Sequence, residues 1–269
     1  MSVERDSGDT SRKLKAQAGR LLVRSQLLLR GISPFGLDRV WEYTDDCAGI
    51  KRHRPSDPRQ NPVHFMRGLA ADAWSGDLEA LRGPAHLEAR SDPIRAEAAR
   101  LERQSGLADD PGELVSPGWR VHFLRCLGED LKRPGGPAIQ AALEATRRHA
   151  STGHAYVAQL DANTKSPPWT GPTNTRVRIH LGLDLPPEGD FGLEVAGEAR
   201  RWTAGRCLAF DDSFVHRAWN ATDHPVRILV VDVWHPEMSD HEATAMETFM
   251  RLSPKSVRDR QAVRDGLRD

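Results

Sequence analysis

Cysteine is scarce and scattered. Cys47, Cys126 and Cys207 are the only three in 269 residues, odd in number and in no Cys-x-x-Cys pair, so neither a disulfide framework nor a thiolate zinc site is implied. Long apolar runs are missing too: none approaches the roughly 18–20 residues of a membrane span, so no transmembrane segment is expected. The start, Met1-Ser2-Val3-Glu4-Arg5-Asp6, lacks the basic-then-apolar order of a secretory signal, and the expected location is cytoplasmic. No excess of one charge exists, because 38 Lys+Arg balance 38 Asp+Glu; that balance gives no support to polyanion binding, and no nucleic-acid partner is expected. A Gly-rich phosphate loop, a Gly-x-Ser-x-Gly elbow and a Cys-His nucleophile pair are all absent. His241-Glu242-Ala243-Thr244-Ala245 opens like a zincin helix but has Ala where the second His must stand.

What is present divides the chain by hydrophobic period. From Arg12 to Arg30, six basic and no acidic residues interleave with Leu14, Leu21, Leu22, Val23, Leu27, Leu28 and Leu29. This predicts an amphipathic basic helix, one able to lie on an anionic membrane or dock a protein partner, although a helix packed on its own domain with solvated Arg outside is the plainer reading. Cys47 to Pro62, where Pro and basic residues crowd a stretch with almost no apolar content, reads as linker, with a boundary near residue 58. Helices are expected at 75–82, 92–104 and 137–150, the second opened by Ser91-Asp92-Pro93 as a cap followed by Pro. After Gly153 short alternating runs at 154–160, 175–183, 190–196, 199–203, 206–210, 214–219 and 225–234 argue for an antiparallel sandwich or jelly roll. A helix over 239–252 and a frayed charged tail from Lys255 close the chain. The expected organisation is an N-terminal helical extension at 1–58, a main unit at 59–236 (helices 61–150, barrel 153–236) and a C-terminal helix and tail at 237–269.

Three strands carry the chemistry. Alternation puts Arg176, Arg178 and His180 on one face of 175–183 and Val177, Ile179 and Leu181 on the other. A row of two Arg and one His facing a cavity suits a dicarboxylate or phosphate, since guanidinium forks bind carboxylates bidentately; a solvated outer face is the simpler alternative. Asp211-Asp212-Ser213-Phe214-Val215-His216 sets a His at a strand start behind two carboxylates, a metal ligand with supporting acids or a structural imidazole. Arg227 heads an almost continuously apolar strand, Ile228 to Trp234, and needs an anion nearby.

In order and nearly in spacing, Thr170-Gly171-Pro172-Thr173-Asn174, Arg178-Ile179-His180-Leu181-Gly182-Leu183, Phe210-Asp211-Asp212-Ser213-Phe214, His216, Trp219 and Val231-Asp232-Val233-Trp234-His235-Pro236 resemble the aspartyl/asparaginyl beta-hydroxylase family of Fe(II)- and 2-oxoglutarate-dependent oxygenases. The resemblance implies a mainly β fold with flanking helices, a double-stranded beta-helix (jelly roll, cupin-like), with metal and cosubstrate in the barrel mouth. It implies His216 as a metal ligand, Arg227 on the far carboxylate of 2-oxoglutarate, and Arg178 with His180 holding the same cosubstrate. The family relies on two His without the carboxylate usual in the wider superfamily, and Gly171 here offers none. The implied activity is hydroxylation of an unactivated carbon of an amino acid, peptide or small metabolite; no catalytic residue beyond the cofactor set is assigned.

One position departs. The family's first metal-binding His precedes Thr-Gly-Pro-Thr-Asn, and this chain has Trp169 there, an indole with no lone pair for iron. A serine that usually touches 2-oxoglutarate has become Ala158 or Gln159. Three explanations compete: a working oxygenase in which Asp161 or His154 supplies the ligand, a metal-free pseudo-oxygenase with a binding or regulatory role in which Trp169 fills the vacated volume, or a non-redox enzyme using His180 or His216 as acid or base.

Overall fold

Period-two alternation after residue 153 becomes two facing antiparallel sheets. The computed structural model describes residues 3–81, 83–109, 118–131, 135–146 and 153–266. The helices are α1 (Val3–Leu29), α2 (Asp38–Cys47), α3 (Pro84–Ala89), α4 (Ser91–Ser105), α5 (Pro137–Thr146), α6 (Asp240–Leu252) and α7 (Pro254–Gly266). The strands are β1 (Ala108–Asp109), β2 (Trp119–Cys126), β3 (Glu129–Asp130), β4 (Ala155–Leu160), β5 (Thr164–Lys165), β6 (Arg176–Asp184), β7 (Phe191–Val195), β8 (Glu198–Arg200), β9 (Cys207–Phe210), β10 (His216–Asn220) and β11 (Val226–Trp234). The larger sheet runs β1-β2-β4-β11-β6-β9, with β3 on β2, and the smaller runs β5-β10-β7-β8. This is a double-stranded beta-helix of the jelly-roll type with flanking helices.

Each face of the larger sheet has its own core. The inner face packs Trp119, Tyr156, Phe210, Ile228 and Val230 against Leu193 and Ala218 of the smaller sheet, with Trp202 and Phe214 from the loops between. The outer face carries Val177, Ile179 and Leu181 of β6 and Leu229, Val231 and Val233 of β11 under Leu87 of α3, Ile94 and Leu101 of α4 and Ile139 of α5. A third cluster joins Val23 and Leu27 of α1, Trp41 of α2 and Met246 of α6 to Trp234. Ser239 closes a capping box with Glu242 at the start of α6, which satisfies two otherwise unpaired amides.

All seven expected strands form, with ends shifted by two residues or fewer except at 199–203, which pairs only as Glu198–Arg200. Four expectations are corrected. Residues 75–81 are irregular, with Asp77 Oδ1 accepting from the amides of Glu79 and Ala80, an Asx turn that competes with helix; the helix starts at Pro84 instead. Helix α4 begins at Ser91 itself, without a side-chain cap. Within 61–150 the chain also forms β2, whose near-complete burial on both faces removes the alternation that reveals a strand. The tail is the helix α7, held by Val263 in the inner core and by Arg260 against Glu129. Residues 147–150 of the expected third helix lie outside the described residues.

Candidate functional site in the barrel interior

The inner face of β6 presents Arg176, Arg178 and His180, as alternation requires. Arg178 and His180 line a small interior cavity together with His216, Trp119, Tyr156 and Phe210. Three of the four expected site residues therefore meet. The cavity volume is about 20 Å³, room for about one water molecule. Trp202 packs behind two of the cavity's lining residues, stacked with His180 at 6.1 Å and edge-on to Trp119 at 6.0 Å.

The two imidazoles are held as opposite tautomers. Trp202 Nε1–H can only donate, and it donates to His180 Nδ1 at 3.3 Å, so the His180 proton sits on Nε2. His216 Nδ1 lies 2.8 Å from the carbonyl oxygen of Phe214; a carbonyl only accepts, so here Nδ1 carries the proton and Nε2 keeps its lone pair. Both rings stay neutral. Burial pushes His216 down to about 4 against the pull of Asp212, and burial, Arg178 and His216 hold His180 well below the ordinary histidine value.

Beneath the cavity lies a closed ring of four buried charges. Arg176 meets Asp212 at 2.7 Å and Asp232 at 3.0 Å, while Arg178 meets Asp212 at 3.1 Å and Asp232 at 2.8 Å. Burial would raise both carboxylates, but the two guanidiniums outweigh it and hold Asp212 and Asp232 below the usual carboxylate range. The ring sums to zero, so Arg178 is already matched by protein carboxylates. Sequence reasoning passes over Asp232; its signal is an acid at the same parity as Ile228 and Val230 in an otherwise apolar strand. Two glycines make room for the ring. A Cβ at Gly171 would lie 2.4 Å from the Asp212 carboxylate, and one at Gly153 would lie 2.1 Å from Asp232 Cβ.

Arg227, expected beside the same cavity, does not line it. On β11, Ile228 and Val230 face the barrel interior while Leu229 and Val231 face the helices, so Arg227 turns outward with the second set. There it meets Asp184 at 3.0 Å, the carboxylate of Glu102 from α4, and Gln159 Oε1 at 2.9 Å. The anion that a strand-head Arg requires is supplied by this chain. A strand buried on both faces gives no periodic clue to which way an end residue points.

The donors present do not fit an iron held by protein ligands. Trp169 pairs with His216 across an antiparallel bridge and offers no lone pair. Asp161 lies 2.9 Å from Arg120 and is half exposed, while His154 packs at 5.8 Å against Phe123 and is driven down to about 3 by burial and Arg176; neither lines the cavity that His216 lines. Among the described residues no group of three His, Cys, Asp or Glu is placed to hold a metal.

Comparison with known proteins gives the lineage. The sequence profile described as Aspartyl/Asparaginyl beta-hydroxylase matches residues 88–236, over half of the chain. A mouse aspartyl/asparaginyl beta-hydroxylase is 46% identical over 210 residues, covering 74% of this chain and 28% of that protein. Aspartate beta-hydroxylase domain-containing protein 2 of Xenopus tropicalis is 41% identical over 100 residues, 36% of this chain and 26% of that one. The chain thus spans little more than a quarter of these relatives' lengths. Among solved structures, a Pseudomonas putida prolyl-4-hydroxylase covers 61% of this chain and 92% of its own at 13% identity and TM-score 0.39. A Cupin 2 barrel protein from Salinispora arenicola covers 52% and 92% at 14% identity and TM-score 0.30. On its matched profile, the chain belongs to the aspartyl/asparaginyl beta-hydroxylase family.

Proposed function

We propose that this chain is a metal-free member of its family, a barrel that serves as a binding or regulatory module in place of an Fe(II)- and 2-oxoglutarate-dependent hydroxylase. The observation that carries the reading is Trp169 opposite His216, where a second nitrogen ligand is needed. Three further features support it. The interior cavity admits about one water, too little for a five-carbon dicarboxylate; Arg178 is neutralised by Asp212 and Asp232; and Arg227 faces away from the cavity.

One observation favours a second reading, a working hydroxylase of an amino acid, peptide or small metabolite. The His216–Phe214 hydrogen bond leaves Nε2 with its lone pair available, as a metal ligand requires. Anaerobic purification with added iron or manganese, followed by metal analysis and a succinate assay with 2-oxoglutarate, separates the two. The metal-free reading expects well under one metal per chain and no succinate. Stoichiometric metal with succinate formation would overturn it.

A further inference from the structure

Helix α1 has two apolar faces. One is seated on the domain: Val23 and Leu27 are buried in the cluster with Trp41 and Met246, Arg20 pairs with Asp45, and the Arg24 guanidinium lies 5.0 Å over the Trp41 ring. The opposite face is open. Leu14, Leu21 and Leu28 are 61%, 66% and 61% exposed, and Leu22 and Leu29 are 48% and 80% exposed. At 100° per residue these five, with Ala18 and Ser25 between them, fill one arc of about 120° centred roughly opposite Val23. Lys15 borders the arc on one side and Lys13 and Arg24 border it on the other.

From Thr10 to Leu37 the sequence contains no Asp or Glu and six Lys or Arg, although the whole chain is neutral. A leucine face between cationic borders is complementary to one surface that is apolar within and negative above, a bilayer carrying anionic headgroups. The Leu side chains would enter the acyl boundary while Lys15 extends its stem toward the phosphates. A second copy of the chain suits this face less well, because the acids of α1, Glu4, Asp6 and Asp9, lie before the Leu14–Leu29 stretch, so pairing that stretch with itself brings its Arg and Lys residues together without an acid of its own between them. We propose that the exposed face of α1 docks the domain onto anionic lipid bilayers, lying in the interface without crossing it.

Flotation of the full chain with vesicles tests this. Phosphatidylcholine vesicles containing phosphatidylserine should carry the protein at low salt, and pure phosphatidylcholine vesicles should not. Neutralising Lys15 (Lys15→Gln) should cut partitioning about fivefold, the effect of one charge near the surface. The triple change Leu14→Gln, Leu21→Gln, Leu28→Gln should abolish flotation. These positions are exposed, so an unchanged thermal midpoint verifies the fold, and single changes at Leu14 and Leu21 serve if the triple variant melts early. No flotation of the wild type with phosphatidylserine vesicles would overturn the proposal. So would flotation untouched by both variants, or sedimentation showing that the leucine face instead makes a dimer that excludes vesicles.

Discussion

Trp169 and His216 exchange both backbone hydrogen bonds, each N to O at 2.9 Å. Directly opposed antiparallel residues leave the sheet on the same side, so the indole stands where an imidazole would complete a pair with His216. Trp169→His should therefore raise Mn(II) affinity by at least about tenfold over wild type, because a second nitrogen ligand joins one whose tautomer is already set. Titration followed by electron paramagnetic resonance reads this directly. Equal affinity in both proteins would show that His216 is not a usable ligand.

Arg176, Arg178, Asp212 and Asp232 form one unit. Asp232→Asn leaves two buried guanidiniums facing one carboxylate and should cost about 3–5 kcal/mol, the usual penalty for an uncompensated buried charge. The urea midpoint should fall accordingly, while the double change Arg178→Met, Asp232→Leu should recover part of the loss. Additive effects would mean that the two residues act independently.

Gly171 and Gly153 are demanded by their neighbours. Gly171→Ala drives a Cβ to 2.4 Å from the Asp212 carboxylate, and that side chain cannot retreat without breaking its bonds to Arg176. A loss of about 3 kcal/mol or more is expected. Gly76, where an added Cβ would meet nothing within 4 Å, is the control, and Gly76→Ala should stay within about 0.5 kcal/mol.

Arg227 should behave as a strut between β11 and α4. A double-mutant cycle of Arg227→Ala with Glu102→Ala should give a coupling of about 1–2 kcal/mol in thermal or denaturant unfolding. The contribution of Asp184 should be smaller, since its side chain is largely in solvent and the pair is screened. A coupling near zero would remove Arg227 from this role.

Acid should weaken the fold earlier than carboxylate titration alone predicts. His154, His180 and His216 all have folded values below the ordinary 6.5, with His154 at about 3 and His216 at about 4. Below pH 6.5 the unfolded chain binds protons that the folded chain refuses, so stability is present above 6.5 and falls as pH drops toward 4. For His216 alone this amounts to about 3 kcal/mol. Asp211 works in the opposite sense: burial raises it to about 7, so its contribution is complete below pH 4 and is lost as pH rises through 7. Denaturant unfolding from pH 4 to 7.5 should show a steeper acid decline in Asp211→Asn than in wild type, because the opposing group is gone.

Local pattern determined the β-rich second half, including the strand that begins at His216, through short alternating or continuously apolar runs between turn residues, and alternation determined the face of β6 that bears Arg176, Arg178 and His180, because a period of two is written in neighbouring residues. The basic leucine-bearing character of α1 was legible for the same local reason. Tertiary structure decided the rest. β2 and β11 are buried on both faces and show no period, so only their neighbours reveal that β2 is a strand and that Arg227 points to α4. Whether Arg178 is free for a ligand depended on Asp212 and Asp232, which lie 34 and 54 positions along the chain and reach it only when β6, β11 and the turn before His216 converge. The substitution at Trp169 was visible in one line of sequence. Its consequence was not, since the distance from one residue to the next ligand is a property of the folded barrel.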